Sequence, residues 1–246
     1  MITIQRVTKA AAKHITRVSL GVRRALGAPR SRHCPACHRD VVGFFRYGQE
    51  REWGCPACGA SPRERLMHGL LDLDVIAIPH GAAILHCAPN EMSLVDRFRA
   101  SAGDYVPADF DPSRYPLPDI QQLDLMALAD EARFDVIYAS HVMEHVPDDA
   151  TVLGNIYRAL KPGGEAWLIV PLWDKASEDG PADLDPRERE RRFGQWDHVR
   201  QYGRDFADRI RAAGLEVELL DATSLPREMV NKMALGDTLF RARRPA

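Results

Sequence analysis

Four of the five cysteines stand in two Cys-Pro-Ala-Cys pairs, Cys34/Cys37 and Cys55/Cys58, with seventeen residues between the pairs. Two thiolates from each of two short loops at this spacing can surround one tetrahedral Zn2+ ion. Because protein sulfur would fill all four positions, that ion would fold the segment and leave no open position for catalysis. A disulfide framework is the competing use of these residues, and the lack of a secretory leader pattern weighs against it. His33 and His38 read as bystanders. A second concentration of chemistry lies in residues 193–203, Phe-Gly-Gln-Trp-Asp-His-Val-Arg-Gln-Tyr-Gly. His198 ordinarily titrates near neutrality and can take a proton, with Asp197 or another carboxylate to orient it. Arg200 can bind an anionic group, and Trp196 or Tyr202 can wall a ligand. The alternative is that His198 and Arg200 tie this segment to the core through ion pairs with the charged loop 174–192.

These groups need a scaffold, and the chain divides into a basic head and an acidic body. The formal charge is −2, yet the first 39 residues hold nine Lys or Arg and no Asp or Glu, which leaves −11 for the rest. Such a body is poorly suited to grip a long nucleic acid over its whole surface. In the head, Ile4, Val7, Ala11, Ile15, Val18, Val22 and Leu26 recur every three or four residues, with Arg6, Lys9, Lys13, Arg17 and Arg24 opposite. This pattern predicts a basic amphipathic helix and linker over 1–30, which packs on protein or lies on an anionic membrane. Its lack of acids also resembles an organelle transit peptide. No run of about 18 apolar residues occurs anywhere.

A small zinc ribbon is expected over 31–62, with its hairpin at 41–46. Gly59-Ala60-Ser61-Pro62 then turns the chain into a helix from about Ser61, with Leu66, Leu70 and Leu71 inward. From there strand-like runs at 83–87, 104–108, 120–123, 134–139, 166–170, 215–220 and 238–243 alternate with helical patterns at 92–102, 149–160 and 204–213. That alternation predicts an α/β domain over 63–246 with a mostly parallel sheet covered on both faces, and a lid insertion at about 172–203.

The stretch 134–164, FDVIYASHVMEHVPDDATVLGNIYRALKPGG, resembles the fourth strand and following helix of class I S-adenosylmethionine-dependent methyltransferases (methyltransferase type 11-like domains). The resemblance extends over about 83–243. The ribbon, the His-x-Ala-Pro of residues 86–89 and the late F-G-Q-x-D-H-V-R element further resemble a bacterial subgroup of such proteins. It implies a Rossmann-like seven-stranded sheet and a cofactor crevice at the strand ends. There His86, Ala88 and Glu91 occupy the first loop, where the family typically has an acidic residue followed by Gly-x-Gly; His86 reads equally as a packed histidine, and Glu91 equally as a helix N-terminal residue favoured by the dipole. Asp109, ending the second strand, would hold the ribose hydroxyls, against an Asx turn into Phe110-Asp111-Pro112. Asp124 and Leu125 would meet the adenine, and Ser140 and His141 would border the methionine and the methyl group, with His141 beside the chemistry. Glu144 and His145 are as well suited to bracing the loop. Dinucleotide binding is disfavoured, since no G-x-G-x-x-G follows the first strand. Cys87 reads as a buried small residue.

The implied enzyme is a methyltransferase acting on a small-molecule or glycan hydroxyl with His198 as general base. Its cofactors would be S-adenosylmethionine and structural Zn2+. The alternatives are an RNA or protein methyltransferase docked through ribbon and helix, and a non-catalytic binding protein of the same fold. The expected location is the cytoplasm, with the N-terminal helix offering contact to the inner membrane face.

Overall fold

The computed structural model describes residues 4–246, with side chains from Ala11 onward; the side chains of Ile4, Arg6, Val7 and Lys9 lie outside the described residues. Elements are numbered in chain order. Two compact units form, one from the residues up to Ala77 together with Asp221–Asp237, the other from Ile78–Leu220 and Thr238–Ala246. The first therefore extends past the expected boundary at 62/63 and includes a later segment that sequence reading assigned to the α/β domain.

The first unit holds α1 (Ile4–Ala25), two hairpins formed by β1 (Arg32–Cys34) with β2 (Arg39–Val41) and β3 (Phe45–Tyr47) with β4 (Glu50–Gly54), then α2 (Pro62–Asp72) and α7 (Arg227–Met233). The single hairpin expected at 41–46 is thus a break between two. α2 starts where its capping signal places it: the Ser61 amide donates to Glu64 Oε2 at 2.8 Å, and the Glu64 amide donates to Ser61 Oγ, with Pro62 next. Arg65 is buried at the centre of this unit. Its guanidinium donates to the carbonyls of Glu52, Trp53, Ala60, Met233 and Ala234 at 2.7–2.9 Å and stacks on Phe44.

α1 packs on the hairpins through Thr16, Leu20 and the stems of Lys13 and Arg17. Thr16 Oγ1 accepts from the Arg46 amide, and both cations lie over the Phe45 ring. Its apolar stripe faces away: Ile15, Val18, Val22 and Leu26 are 68, 67, 53 and 81% exposed.

The second unit is built on one seven-stranded sheet. Its strands are β5 (Ala82–Cys87), β6 (Ala102–Asp109), β7 (Gln121–Gln122), β8 (Phe134–Ser140), β9 (Leu160–Ile169), β12 (Glu216–Leu220) and β13 (Leu239–Arg243). Their order is β12-β13-β9-β8-β5-β6-β7, with β13 antiparallel to both neighbours and the other pairings parallel. The central strands are apolar on both faces, as a doubly covered parallel sheet requires. Leu85, Ile137 and Leu168 pack with Val152 and Ile156 of α4 (Asp149–Ala159) and with Phe206 and Ile210 of α6 (Phe206–Ala212). Tyr138 and Trp167, in register on β8 and β9, meet Phe98 of α3 (Met92–Ser101). β9 begins six residues earlier than expected, because Pro162-Gly163-Gly164 is taken into the strand as an irregularity with Gly163 at φ +77°.

After β9 the chain leaves the sheet as an insertion. Here β10 (Glu178–Asp179) pairs antiparallel with β11 (Arg200–Gln201), and α5 (Pro186–Phe193) lies between them. Asp185 caps α5 and Gly194, at φ +83°, ends it. No helix of the described residues is long and apolar enough to cross a membrane.

Candidate active site

Ligands of open α/β sheets bind beyond the carboxyl ends of the strands where strand order reverses, which here lies between β5 and β8. Both strands end alike. Ala88 and His141, each the first residue past its strand, have φ of +50° and +56°, in a left-handed region that costs a residue with a Cβ about 1 kcal/mol or more. The Ala88 amide donates to the Ala108 carbonyl at 2.9 Å and the His141 amide to that of Ile169 at 2.8 Å, which holds both turns. Strained turns of this kind concentrate at functional sites. Directly before His141, Ser140 is buried, and its Oγ has no hydrogen-bond partner among the described residues.

The expected cofactor residues take different places. Asp109 stands at the end of β6, its Oδ1 accepting from the Asp111 amide at 2.8 Å and its Oδ2 from the Tyr115 hydroxyl at 2.7 Å. The Asx turn is therefore real, yet each oxygen keeps lone pairs for a further donor. Tyr115, which sequence reading missed, fixes that carboxylate. Asp124 is exposed and caps the turn that follows through the Met126 amide, while Leu125 is buried. Asn155 of α4, also missed, holds this segment by donating to the Leu125 and Met126 carbonyls at 2.8 and 3.0 Å.

Glu91 is buried directly before α3 without capping it. His86 takes the packed one of its two expected readings. Strand alternation turns it toward α3, where it is fully buried in edge contact with Phe98, Tyr105 and Tyr138, and its Nδ1 lies 2.9 Å from the Tyr105 hydroxyl. Burial pushes its pKa down to about 3, so it serves as a neutral core residue. Burial likewise, with Asp109, pushes the Cys87 thiol up to about 12, as an inert thiol requires.

The turn after β8 meets the insertion in a cluster of four ionisable side chains. Glu144 is fully buried and neither carboxylate oxygen has a hydrogen bond among the described residues; His141 Nδ1 is 3.3 Å from Oε1. The ring of His145 stands edge-on to that of His198, with centroids 4.7 Å apart. His198 is buried, and its Nδ1 lies 2.9 Å from the Phe193 carbonyl. Only a protonated Nδ1 can donate there, so the Nε2 of the neutral ring carries the lone pair. Burial holds its pKa below the ordinary histidine value. Asp197, expected to orient His198, instead faces His145 at 3.5 Å; the Phe193 carbonyl does the orienting. Backbone closes the arrangement, the Val199 amide donating to the Glu144 carbonyl.

Two expected ligand residues are structural. Arg200 is buried, with its guanidinium donating to the Met143, Val146 and Pro147 carbonyls and to Asp179. Four of the five guanidinium N–H donors are thereby committed within the protein. Tyr202 is fully buried, and its hydroxyl donates to Asp149 at 2.8 Å. Arg209 completes the network by bridging Asp149 and Asp179. Ion pairing with the charged loop, the alternative reading of Arg200, is what the structure contains. Trp196 alone of the expected aromatic wall is exposed.

The profile of a methyltransferase-domain family matches residues 49–221. The chain belongs to this family of S-adenosylmethionine-dependent methyltransferases. Among curated relatives, a 61-residue segment is 41% identical to trans-aconitate 2-methyltransferase of Azoarcus sp. (strain BH72), covering 24% of each chain. A 52-residue segment is 41% identical to ubiquinone biosynthesis O-methyltransferase of Pseudomonas putida (strain W619), covering 20% of this chain and 22% of that one. The match thus spans less than a quarter of the length of these relatives. Among solved structures, the [4+2]-cyclase SpnF superposes with a TM-score of 0.54 at 16% identity, covering 99% of this chain and 97% of its own. A chain of the complex between the Haloferax volcanii Trm112 methyltransferase activator and a methyltransferase superposes at 0.52 and 18%, covering 73% and 88%. At these identities the likeness is one of fold, and a cyclase among the neighbours shows that the fold does not fix the reaction.

The crevice between β5 and β8 fits the family's cofactor in two respects. Asp109 places a carboxylate with free lone pairs at the end of β6, and Ser140 Oγ, without a hydrogen-bond partner among the described residues, lies beside the left-handed turn at His141. In the other unit of the chain, Cys34, Cys37, Cys55 and Cys58 bring one sulfur each within 4.8 Å of all the others. The Cys34–Cys58 and Cys37–Cys55 separations are 3.7 and 4.0 Å. Sulfurs bound tetrahedrally to zinc at about 2.3 Å would lie about 3.8 Å apart, while a disulfide requires about 2.05 Å.

Proposed function

We propose that this methyltransferase transfers the methyl group of S-adenosylmethionine to a hydroxyl oxygen of a small molecule or glycan. The cofactor supplies a methyl carbon already activated by its sulfonium. The protein's task is to align the acceptor oxygen with that carbon and to take its proton as the new C–O bond forms and the S–C bond breaks. The observation that carries the reading is the neutral His198, whose tautomer is set by the Phe193 carbonyl so that Nε2 is a proton acceptor. His141 borders the same turn, Asp109 would hold the ribose, and Asp124 and Leu125 the adenine edge. Trp196 is the exposed aromatic surface left for the acceptor. A Zn2+ ion on the four cysteines would hold the first unit together and stand outside the chemistry.

A panel of phenols, sugars and short RNAs offered with methyl-labelled cofactor tests this. Label should enter a hydroxyl-bearing small molecule, and His198→Gln should lower kcat about 10²–10⁴-fold with cofactor affinity unchanged. Label in RNA alone, or full turnover by His198→Gln, would contradict it.

For location, the exposed stripe of Ile15, Val18, Val22 and Leu26 on α1 supports peripheral contact with an anionic membrane at its cytoplasmic face. Docking of a protein or nucleic acid by the same helix is the competing use.

A further inference from the structure

The Glu144 carboxylate poses a physical problem that methyl transfer alone does not answer. It is fully buried, and among the described residues neither oxygen accepts a hydrogen bond and the one basic group that an ion-pair contact brings to it is the imidazole of His141, 3.3 Å away. An ionised carboxylate in that state is expensive unless paired. What surrounds it is a set of lone pairs. His198 has its Nδ1 committed to the Phe193 carbonyl, leaving Nε2 as a lone-pair donor. His145 is placed edge-on to His198, and its own Nδ1 lies 3.5 Å from the Asp197 carboxylate. A carbonyl behind one imidazole and a carboxylate behind the other is the outer arrangement that orients histidines on metal ions.

From this geometry we infer that Glu144, His145 and His198 form a binding site for one divalent first-row transition cation, separate from the four cysteines. One donor atom from each lies within 4.8 Å of the other two. Donors on a single ion at about 2.0–2.2 Å stand about 3–4 Å apart, a contraction that rotation of the half-buried His145 can supply. Two imidazoles and one carboxylate suit Zn2+, Co2+, Fe2+ or Mn2+ better than Ca2+ or Mg2+. Three protein donors leave a coordination position for water or for an acceptor oxygen. The inference rests on the reading above for the reaction, methyl transfer to a hydroxyl, and replaces one part of it, the role of His198 as base. An Nε2 bound to the ion cannot also take the acceptor's proton, so with the ion in place it is the ion that makes the hydroxyl acidic, and water carries the proton away.

The test reads metal before activity. Full-length protein that retains zinc on its cysteines is titrated with Co2+ and with Mn2+ by calorimetry, and the Co2+ complex is examined by absorption. The site predicts one further equivalent per chain whose spectrum lacks thiolate charge-transfer bands, with affinity reduced at least about tenfold in Glu144→Gln and in His145→Ala. His145 is half-buried, so its variant keeps the test open should Glu144→Gln fail to fold. No further equivalent, or one that survives both substitutions, overturns the inference. If the ion binds and methyl transfer to hydroxyls is absent, the metal site stands and the proposed reaction falls; turnover without bound ion leaves the reaction and removes the site.

Discussion

Arg200 shows how far residue type alone can mislead. An arginine beside His, Trp and Tyr invites a substrate anion, yet its guanidinium is spent on three carbonyls of the turn after β8 and on Asp179. Its value is in pinning the insertion. Arg200→Ala strands those carbonyls and should lower stability by about 3–5 kcal/mol, read as a fall in denaturant midpoint, with the cofactor's dissociation constant unchanged in protein that remains folded. Asp179 supplies the pH dependence of the same network, since its pKa is held below the ordinary carboxylate value first by the hydrogen bond from Arg209. Because the folded value is the depressed one, its contribution is fully present above about pH 4 and is lost as pH falls through the lowered pKa. Asp179→Asn should flatten that acid limb of a Tm-versus-pH curve; an unaltered limb would contradict the assignment. Residue identity singled out His198, His141, Asp109 and the cysteines as candidates, because such side chains carry chemistry that apolar ones do not. It could not separate His86 from a ligand, since only the phase of β5 decides which face a side chain takes.

At the scale of elements, what was legible followed from local signals. The cap at Ser61, the apolar runs of β5 and β8 and the four-residue spacing in α4 fixed their elements to within a residue or two. The insertion was less legible: α5 has eight residues, six of them charged, so no apolar periodicity announces it, and only Asp185-Pro186 and Gly194 mark its ends. The face of α1 that packs was also not legible, because long cationic stems cover apolar rings as well as a valine does. Ser61→Ala should cost about 1 kcal/mol, seen in the first unit's transition and absent from the sheet's. Arg65→Met should cost more, since five carbonyls lose their donor at once; an unchanged melting curve would mean that water replaces the guanidinium.

Considered whole, the molecule joins a cysteine-bound unit to a methyltransferase sheet, and the account assigns them separable jobs. Zinc removal by a strong chelator should unfold the first unit while the sheet keeps its cooperative transition; loss of both together, or of neither, would refute that division. The stripe on α1 predicts binding to anionic vesicles that Val18→Glu weakens without affecting turnover. Everything about the reaction depends on one prior fact, that the crevice between β5 and β8 binds the family's cofactor although Ala88 stands where glycine is usual. Calorimetric titration of the zinc-replete protein with S-adenosylmethionine and S-adenosylhomocysteine, beside Asp109→Ala, decides it. Micromolar binding that weakens sharply in the variant is the expected result, and a folded protein that binds neither compound would contradict the account and leave a non-catalytic protein of the same fold.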